Sequence, residues 1–71
     1  MEKEFKYEIK KKLGVLSQNG NYTKEVNLIS YNGAQPKLDI RNWDRKNNKM
    51  QKGITLNREE MEVLRACLAE L

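Results

Sequence analysis

The 71 residues, 38% apolar and 34% charged, bound the chain to one domain, 1–71, with little apolar surface from which to build a core. A single cysteine excludes an internal disulfide, and the lack of histidine leaves a zinc site almost no ligands and acid–base catalysis no group that titrates near neutral pH. The formal charge of +4 is uneven, with a net +6 over residues 1–56 and a net −2 over 57–71. That balance suits a polyanionic partner, or a basic surface that merely aids solubility.

"MEKEFKYEIKKK" has no apolar stretch of the signal-peptide kind, and no later run is long enough to span a bilayer. The expectation is a cytoplasmic protein, nucleoid-associated if bacterial, whose thiol stays reduced. "FKYEIKKKLGVL" (5–16) reads as the first strand. Phe5, Tyr7 and Ile9 fall on one side, Lys6, Glu8 and Lys10 on the other, and Gly14 marks a bend or bulge. "QNGN" (18–21) and "NGAQP" (32–36) each contain Asn-Gly, whose residues tolerate positive φ and so signal turns. They bracket a second strand, "YTKEVNLISY" (22–31). A third strand, "KLDIRNW" (37–43), ends at the polar break "DRKNN" (44–48), and "KMQKGITL" (49–56) is the fourth. Consecutive short connections favour an antiparallel meander.

"NREEMEVLRACLAEL" changes period to that of a helix, with Asn57 and Glu60 spaced as a capping box. Met61, Val63, Leu64, Cys67, Leu68 and Leu71 cover an arc of roughly 160° at helical spacing. A helix on its own sheet needs only about 100°. The surplus points to a homodimer through the helices, with Met61, Leu64, Cys67, Leu68 and Leu71 as its interface. The competing reading is a well-buried helix in a monomer. The fold class is therefore α+β, four antiparallel strands followed by one C-terminal helix (ββββα).

Strand parity sets Val26, Leu28, Leu38, Ile40, Ile54 and Leu56 on a helix-covered face. Tyr31 and Trp43 share the opposite, outward face with Lys37, Arg41 and Asn27. Rings for bases and cations for phosphates on one surface are what single-stranded nucleic acid requires. A duplex would more naturally take a basic helix, and here the only helix is acidic on balance. Trp43 could instead pack on a loop or a second subunit, and Tyr31 could be a hairpin-flanking ring. Lysines 10–12 could be a solvated edge, and Lys52 could pair with a carboxylate. Ser17 and Ser30 have no partner base, Cys67 sits on the apolar side, and Asp39 and Asp44 differ in parity with no third carboxylate at a metal-binding spacing. No enzyme, metal, cofactor or small-molecule substrate is expected.

The run "LDIRNW…KMQKGITLNREE" resembles the single-stranded-DNA-binding domain of the transcriptional coactivator positive cofactor four, most closely its small bacterial branch known as YdbC. The residues carrying the likeness are Asp39, Ile40, Arg41, Trp43, Met50, Lys52, Gly53, Ile54, Thr55 and Leu56. "GVLSQNGNYTKEVNLISYNGAQPKLDIR" is also similar to that branch, so the likeness covers essentially the whole chain. The resemblance implies a ββββα homodimer gripping single-stranded DNA with curved sheets, and roles for Tyr31, Arg41, Trp43 and Lys52. The chain departs in having Ile29 where the family has a basic residue, a longer "NGAQPK" turn and a shorter Arg41–Trp43 spacing. It also starts at its first strand, so regulation by a preceding disordered segment is not expected.

The resulting expectation is a largely sequence-independent single-stranded-DNA binder in transcription regulation, replication or repair. Bases would stack on Trp43 and Tyr31. Lys24, Lys37, Arg41 and Lys52, with Lys6 or Lys10, would neutralise phosphates. A single-stranded-RNA binder and a protein-interaction module for an acidic partner are the alternatives.

Overall fold

A computed structural model describes residues 6–71. Strands β1 (Tyr7–Asn19), β2 (Tyr22–Tyr31), β3 (Lys37–Asp44) and β4 (Lys49–Leu56) form one antiparallel sheet in the order β1-β2-β3-β4, and helix α1 (Arg58–Leu68) follows. This is the expected meander and helix. The second Asn-Gly turn takes positive φ at both residues, Asn32 (53°) and Gly33 (77°), whereas in the first only Gly20 does (63°). At the third break, the Asp44 carboxylate accepts bonds from the Lys46 and Asn47 backbone amides and from Asn47 Nδ2. Phe5, expected beside Tyr7 and Ile9, lies outside the described residues.

The sheet is strongly coiled, and β1 is the cause. Its 13 residues run against the 10 of β2, with register shifts between Ile9 and Lys11, Lys12 and Gly14, and Val15 and Ser17. Each inserted residue bends the strand and increases its twist, so the single irregularity expected at Gly14 is a series along the strand. Tyr7 pairs with Tyr31 at one end of β2, and Trp43 pairs with Thr23 near the other. Their ring centroids nevertheless lie 6.0 Å apart, edge to face. A flat sheet would hold them far apart along the strand axis. They meet because the sheet curls around the face that carries them.

That curl inverts the expected core. Parity assigns the residues to their faces correctly, but the face taken as outward is the more deeply buried one. Ile29 and Asp39 are 0% exposed, and Asn27 and Trp43 1%. The aliphatic face is only half covered: Val26, Leu28, Leu38, Ile40 and Leu56 are half-buried, and Ile54 is exposed.

Helix α1 begins as its sequence predicts. The Glu60 amide donates to Asn57 Oδ1 at 2.8 Å, and the Asn57 amide donates to Glu60 Oε1 at 2.9 Å. It stops at Leu68, so Leu71 lies beyond the helix, fully exposed, and leaves the expected arc. No residue of α1 is buried; Met61 and Leu64 are half-buried, while Val63, Cys67 and Leu68 are exposed. The well-buried helix of a monomer is therefore not what the chain forms by itself. Between α1 and the sheet lies an open apolar cavity of about 420 Å³, lined by Leu13, Leu28, Leu38, Met61, Leu64 and Leu68 together with Arg65. No helix among the described residues is long and apolar enough to cross a membrane.

Candidate nucleic-acid interface

Two arginines of the curled face hold buried carboxylates. Arg41 grips Asp39 through two bonds, Nε to Oδ1 and Nη2 to Oδ2, each 2.7 Å, and its Nη1 donates to the Gln51 carbonyl at 3.0 Å. The Tyr31 hydroxyl donates to the same carboxylate at 2.5 Å. Fork-to-fork pairing of this kind is both strong and geometrically specific. Arg45 does the same for Glu25, with Nε 2.8 Å from Oε2, while the Thr23 hydroxyl also donates to Glu25. The Arg45 hydrogen bonds, more than any other contact, hold the Glu25 carboxyl below the usual carboxylate range against the opposing effect of burial.

Trp43 is enclosed by this arrangement. Tyr7 meets it edge to face, and the Arg45 guanidinium lies 4.4 Å from the ring centroid. Among the described residues, neither the indole Nε1 nor the Asn27 Nδ2 has an acceptor in hydrogen-bond geometry, although Asn27 lies near enough to Glu25 to favour its ionised form. The expectation that Trp43 offers an open stacking surface is corrected: the coil of β1 brings Tyr7 over it. Trp43 and Arg41 do share a face, but the indole belongs to the interior. Asn27 is likewise interior, and Arg41 serves chiefly as the counter-ion of Asp39.

Burial first, and then the neighbouring Asp39 carboxylate, push Tyr31 up to about 12 from an ordinary value of 10.0. A raised folded-state value means that the stabilisation is fully present below pH 10 and is lost as pH rises through 12. Ultraviolet titration is expected to show a late tyrosinate step that Tyr31→Phe removes. Resistance to urea should decline over the same window, and less steeply in that variant.

The freely placed cations are lysines. Lys24, Lys37 and Lys52 are exposed and have no ion-pair partner among the described residues. They line three depressions: Lys24 and Asn42, which share the parity of Val26 and Ile40, set the first two on the aliphatic face, and Tyr31, Lys37 and Arg41 set the third on the curled face. One of about 510 Å³ is bordered by Tyr22, Lys24, Asn42, Gln51 and Lys52, among others. The next shares Lys24, Asn42 and Lys52 with it and extends to Arg41, Gly53 and Ile54. Arg41 also lines the third, of about 360 Å³, with Tyr31, Gln35, Lys37 and Thr55. No carboxylate residue lines any of the three.

Gly53 pairs with Arg41 across β3 and β4, and a Cβ there would fall 2.0 Å from Arg41 Cβ and 2.6 Å from the Ile40 carbonyl oxygen. Cross-strand Cβ atoms normally stay about 4.5–5.5 Å apart, so only glycine lets β4 approach Arg41 this closely.

Of the expected site residues, the structure brings Lys24 and Lys52 together beside one depression on the aliphatic face, and Tyr31, Lys37 and Arg41 together beside another on the curled face. Asn27 and Trp43 line none of these depressions. Sequence reasoning missed Arg45, although it follows Trp43 at strand spacing.

An antiparallel sheet with one capped helix and an acid-free cationic surface defines a small α+β domain of basic, sheet-presenting type. The family described as Transcriptional Coactivator p15 (PC4) matches residues 19–67, and the chain belongs to it. This is a family of DNA-binding proteins of single-stranded-DNA-binding, coactivator-like type. The match takes in β2, β3, β4 and nearly all of α1, a narrower span than the whole-chain likeness expected from sequence. An uncharacterized protein of Treponema pallidum (strain Nichols) is 44% identical over 66 residues, spanning 92% of this chain and 78% of the relative. That bacterial relative accords with the bacterial branch of the family.

Proposed function

We propose that the chain, acting as a single domain over 1–71, is a homodimeric, largely sequence-independent single-stranded-DNA-binding protein. It would act in transcription regulation, replication or repair, on nucleic acid in the cytoplasm or nucleoid. The activity is binding alone, without catalysis, cofactor, metal or small-molecule substrate. The observation that carries this reading is the acid-free depression on the curled face that brings Tyr31, Lys37 and Arg41 together, with Lys24 and Lys52 beside acid-free depressions on the other face. Family membership supports the ligand class. Lys24, Lys37 and Lys52 face phosphates and Tyr31 offers ring surface, while Asn27, Arg41 and Trp43 hold the sheet in shape.

The half-open apolar cavity and the exposed Val63, Cys67 and Leu68 support a second copy packed helix to helix around Met61, Leu64 and Leu68. Leu71, past the helix end, extends the same surface. Sedimentation should return twice the chain mass.

Titration of labelled oligo-dT across a salt series tests the binding. For single strands, log affinity should fall against log salt by about 0.7 per phosphate neutralised. Lys24→Ala, Lys37→Ala and Lys52→Ala should each flatten that slope by about the same step while leaving thermal stability unchanged. Duplex DNA should bind more weakly. Equal affinity for single-stranded RNA would widen the ligand class, and equal affinity for polyglutamate would replace nucleic acid with an acidic protein partner.

A further inference from the structure

We propose that Gln35, in the turn between β2 and β3, reads the edge of a base held beside Tyr31, giving the curled-face depression a preference for adenine. This rests on the single-stranded-DNA reading and adds selectivity at one nucleotide to it. The depression measures about 360 Å³, near the lower end of the roughly 300–1,000 Å³ typical of small-ligand sites. Tyr31, Ala34, Gln35, Lys37, Arg41 and Thr55 line it. Thr55 pairs with Asp39, which shares the parity of Lys37 and Arg41, so the strand residues there belong to one face.

Only Gln35 retains the bonding capacity to read a base. The Arg41 guanidinium is committed to Asp39 and the Gln51 carbonyl, and the Tyr31 hydroxyl donates to Asp39. Lys37 is a donor alone and suits a phosphate, and Thr55 brings a single hydroxyl. The Gln35 carboxamide sets a donor and an acceptor side by side, and no hydrogen bond among the described residues engages it. Adenine presents the complement, the N6 amino group beside N7, and in a single strand that edge is open.

The turn holds Gln35 in place. The Asn32 amide donates to the Lys6 carbonyl at 2.8 Å, and the Lys6 amide donates back to Asn32 Oδ1 at 3.0 Å. The Ala34 amide donates to the Tyr31 carbonyl at 2.9 Å, and the Ser30 hydroxyl donates to the Ala34 carbonyl at 2.5 Å. Pro36 then biases Gln35 to extended backbone. A recognition group on a tethered turn loses less freedom on binding than one on a loose loop. Selectivity at one position still leaves strands of any sequence bound, because phosphate contacts carry no base information.

The test uses the full chain, fluorescein-labelled oligo-dA, and the same strand built from 7-deazaadenine, in which a C–H replaces N7. Wild type is expected to favour oligo-dA by about fivefold, and Gln35→Ala to bind the two strands equally. The salt slope and thermal midpoint of Gln35→Ala should match wild type, since the side chain carries no charge and has no described partner in the fold. In heteronuclear NMR the Gln35 side-chain amide protons should move further downfield with oligo-dA than with the 7-deaza strand, a readout independent of the variant. If wild type binds both strands equally, or Gln35→Ala keeps the wild-type ratio, the base contact is overturned and the binding function stands. If wild type binds neither oligo-dA nor oligo-dT, the function itself is overturned, and the base contact with it.

Discussion

Trp43→Ala is expected to unfold the chain or bring it close to unfolding, rather than to remove a ligand contact from an intact surface. The indole is 1% exposed, packed edge to face with Tyr7 and under the Arg45 guanidinium. Truncating a buried tryptophan to alanine costs about 3–5 kcal/mol, through lost transfer energy and the cavity left behind. A core in a chain this short rarely supplies more than about 3–5 kcal/mol of net stability. The substitution also strips the Arg45–Glu25 pair of the surface on which it rests. Urea denaturation followed by far-ultraviolet circular dichroism should show the midpoint collapsing in Trp43→Ala and shifting far less in Trp43→Phe. A Trp43→Ala protein with a wild-type midpoint and weakened oligo-dT binding would return the indole to the ligand surface.

The fold was legible because each local signal agreed with the next. The two Asn-Gly turns and the polar break at 44–48 delimit strands that the structure reproduces to within a residue at β2, β3 and β4. Asn57 and Glu60 start α1 where the capping box places it. Parity also sorted β2 and β3 correctly, since Asn27 pairs with Asp39 and Leu28 with Leu38. What parity lacks is curvature. It says which residues share a face, but not whether that face opens to solvent or rolls shut.

The rolling comes from β1, where lysines 10–12 and Leu13 to Leu16 offer no unbroken alternation from which to count, and three register shifts follow. Arg45 was missed for a related reason. It sits in a segment whose composition reads as a turn, yet its side chain reaches back over Trp43 to Glu25 on β2. A polar residue just beyond a strand can close the core that the strand begins, and only the three-dimensional path reveals it. Gly53 was legible as part of a family-like run, but its purpose depends on how closely β4 passes Arg41, where an added Cβ would fall 2.0 Å from Arg41 Cβ, and no one-dimensional pattern encodes that.

Arg41→Ala, the second large effect expected, separates a basic residue that binds a ligand from one that holds the fold. The guanidinium offers five N–H donors, and Asp39, the Gln51 carbonyl and the Tyr31 hydroxyl together engage all three of its nitrogens. Asp39 is fully buried, so removing its partner leaves a carboxylate without its counter-charge, a loss of about 3–5 kcal/mol. The Asp39 hydrogen bonds are the leading cause of the rise in the Arg41 pKa, which marks the pair as mutually dependent. A lysine such as Lys24 or Lys37 stands differently, because its removal strands no described carboxylate. Arg41→Ala should therefore lose most of its stability, and the double variant Asp39→Ala with Arg41→Ala should recover part of it, the coupling expected of groups in direct contact. Lys37→Ala should keep its stability and lose only its share of the salt slope. If Arg41→Ala instead melts as wild type does while its salt slope flattens, the arginine is a phosphate ligand first, and its grip on Asp39 must open when DNA binds.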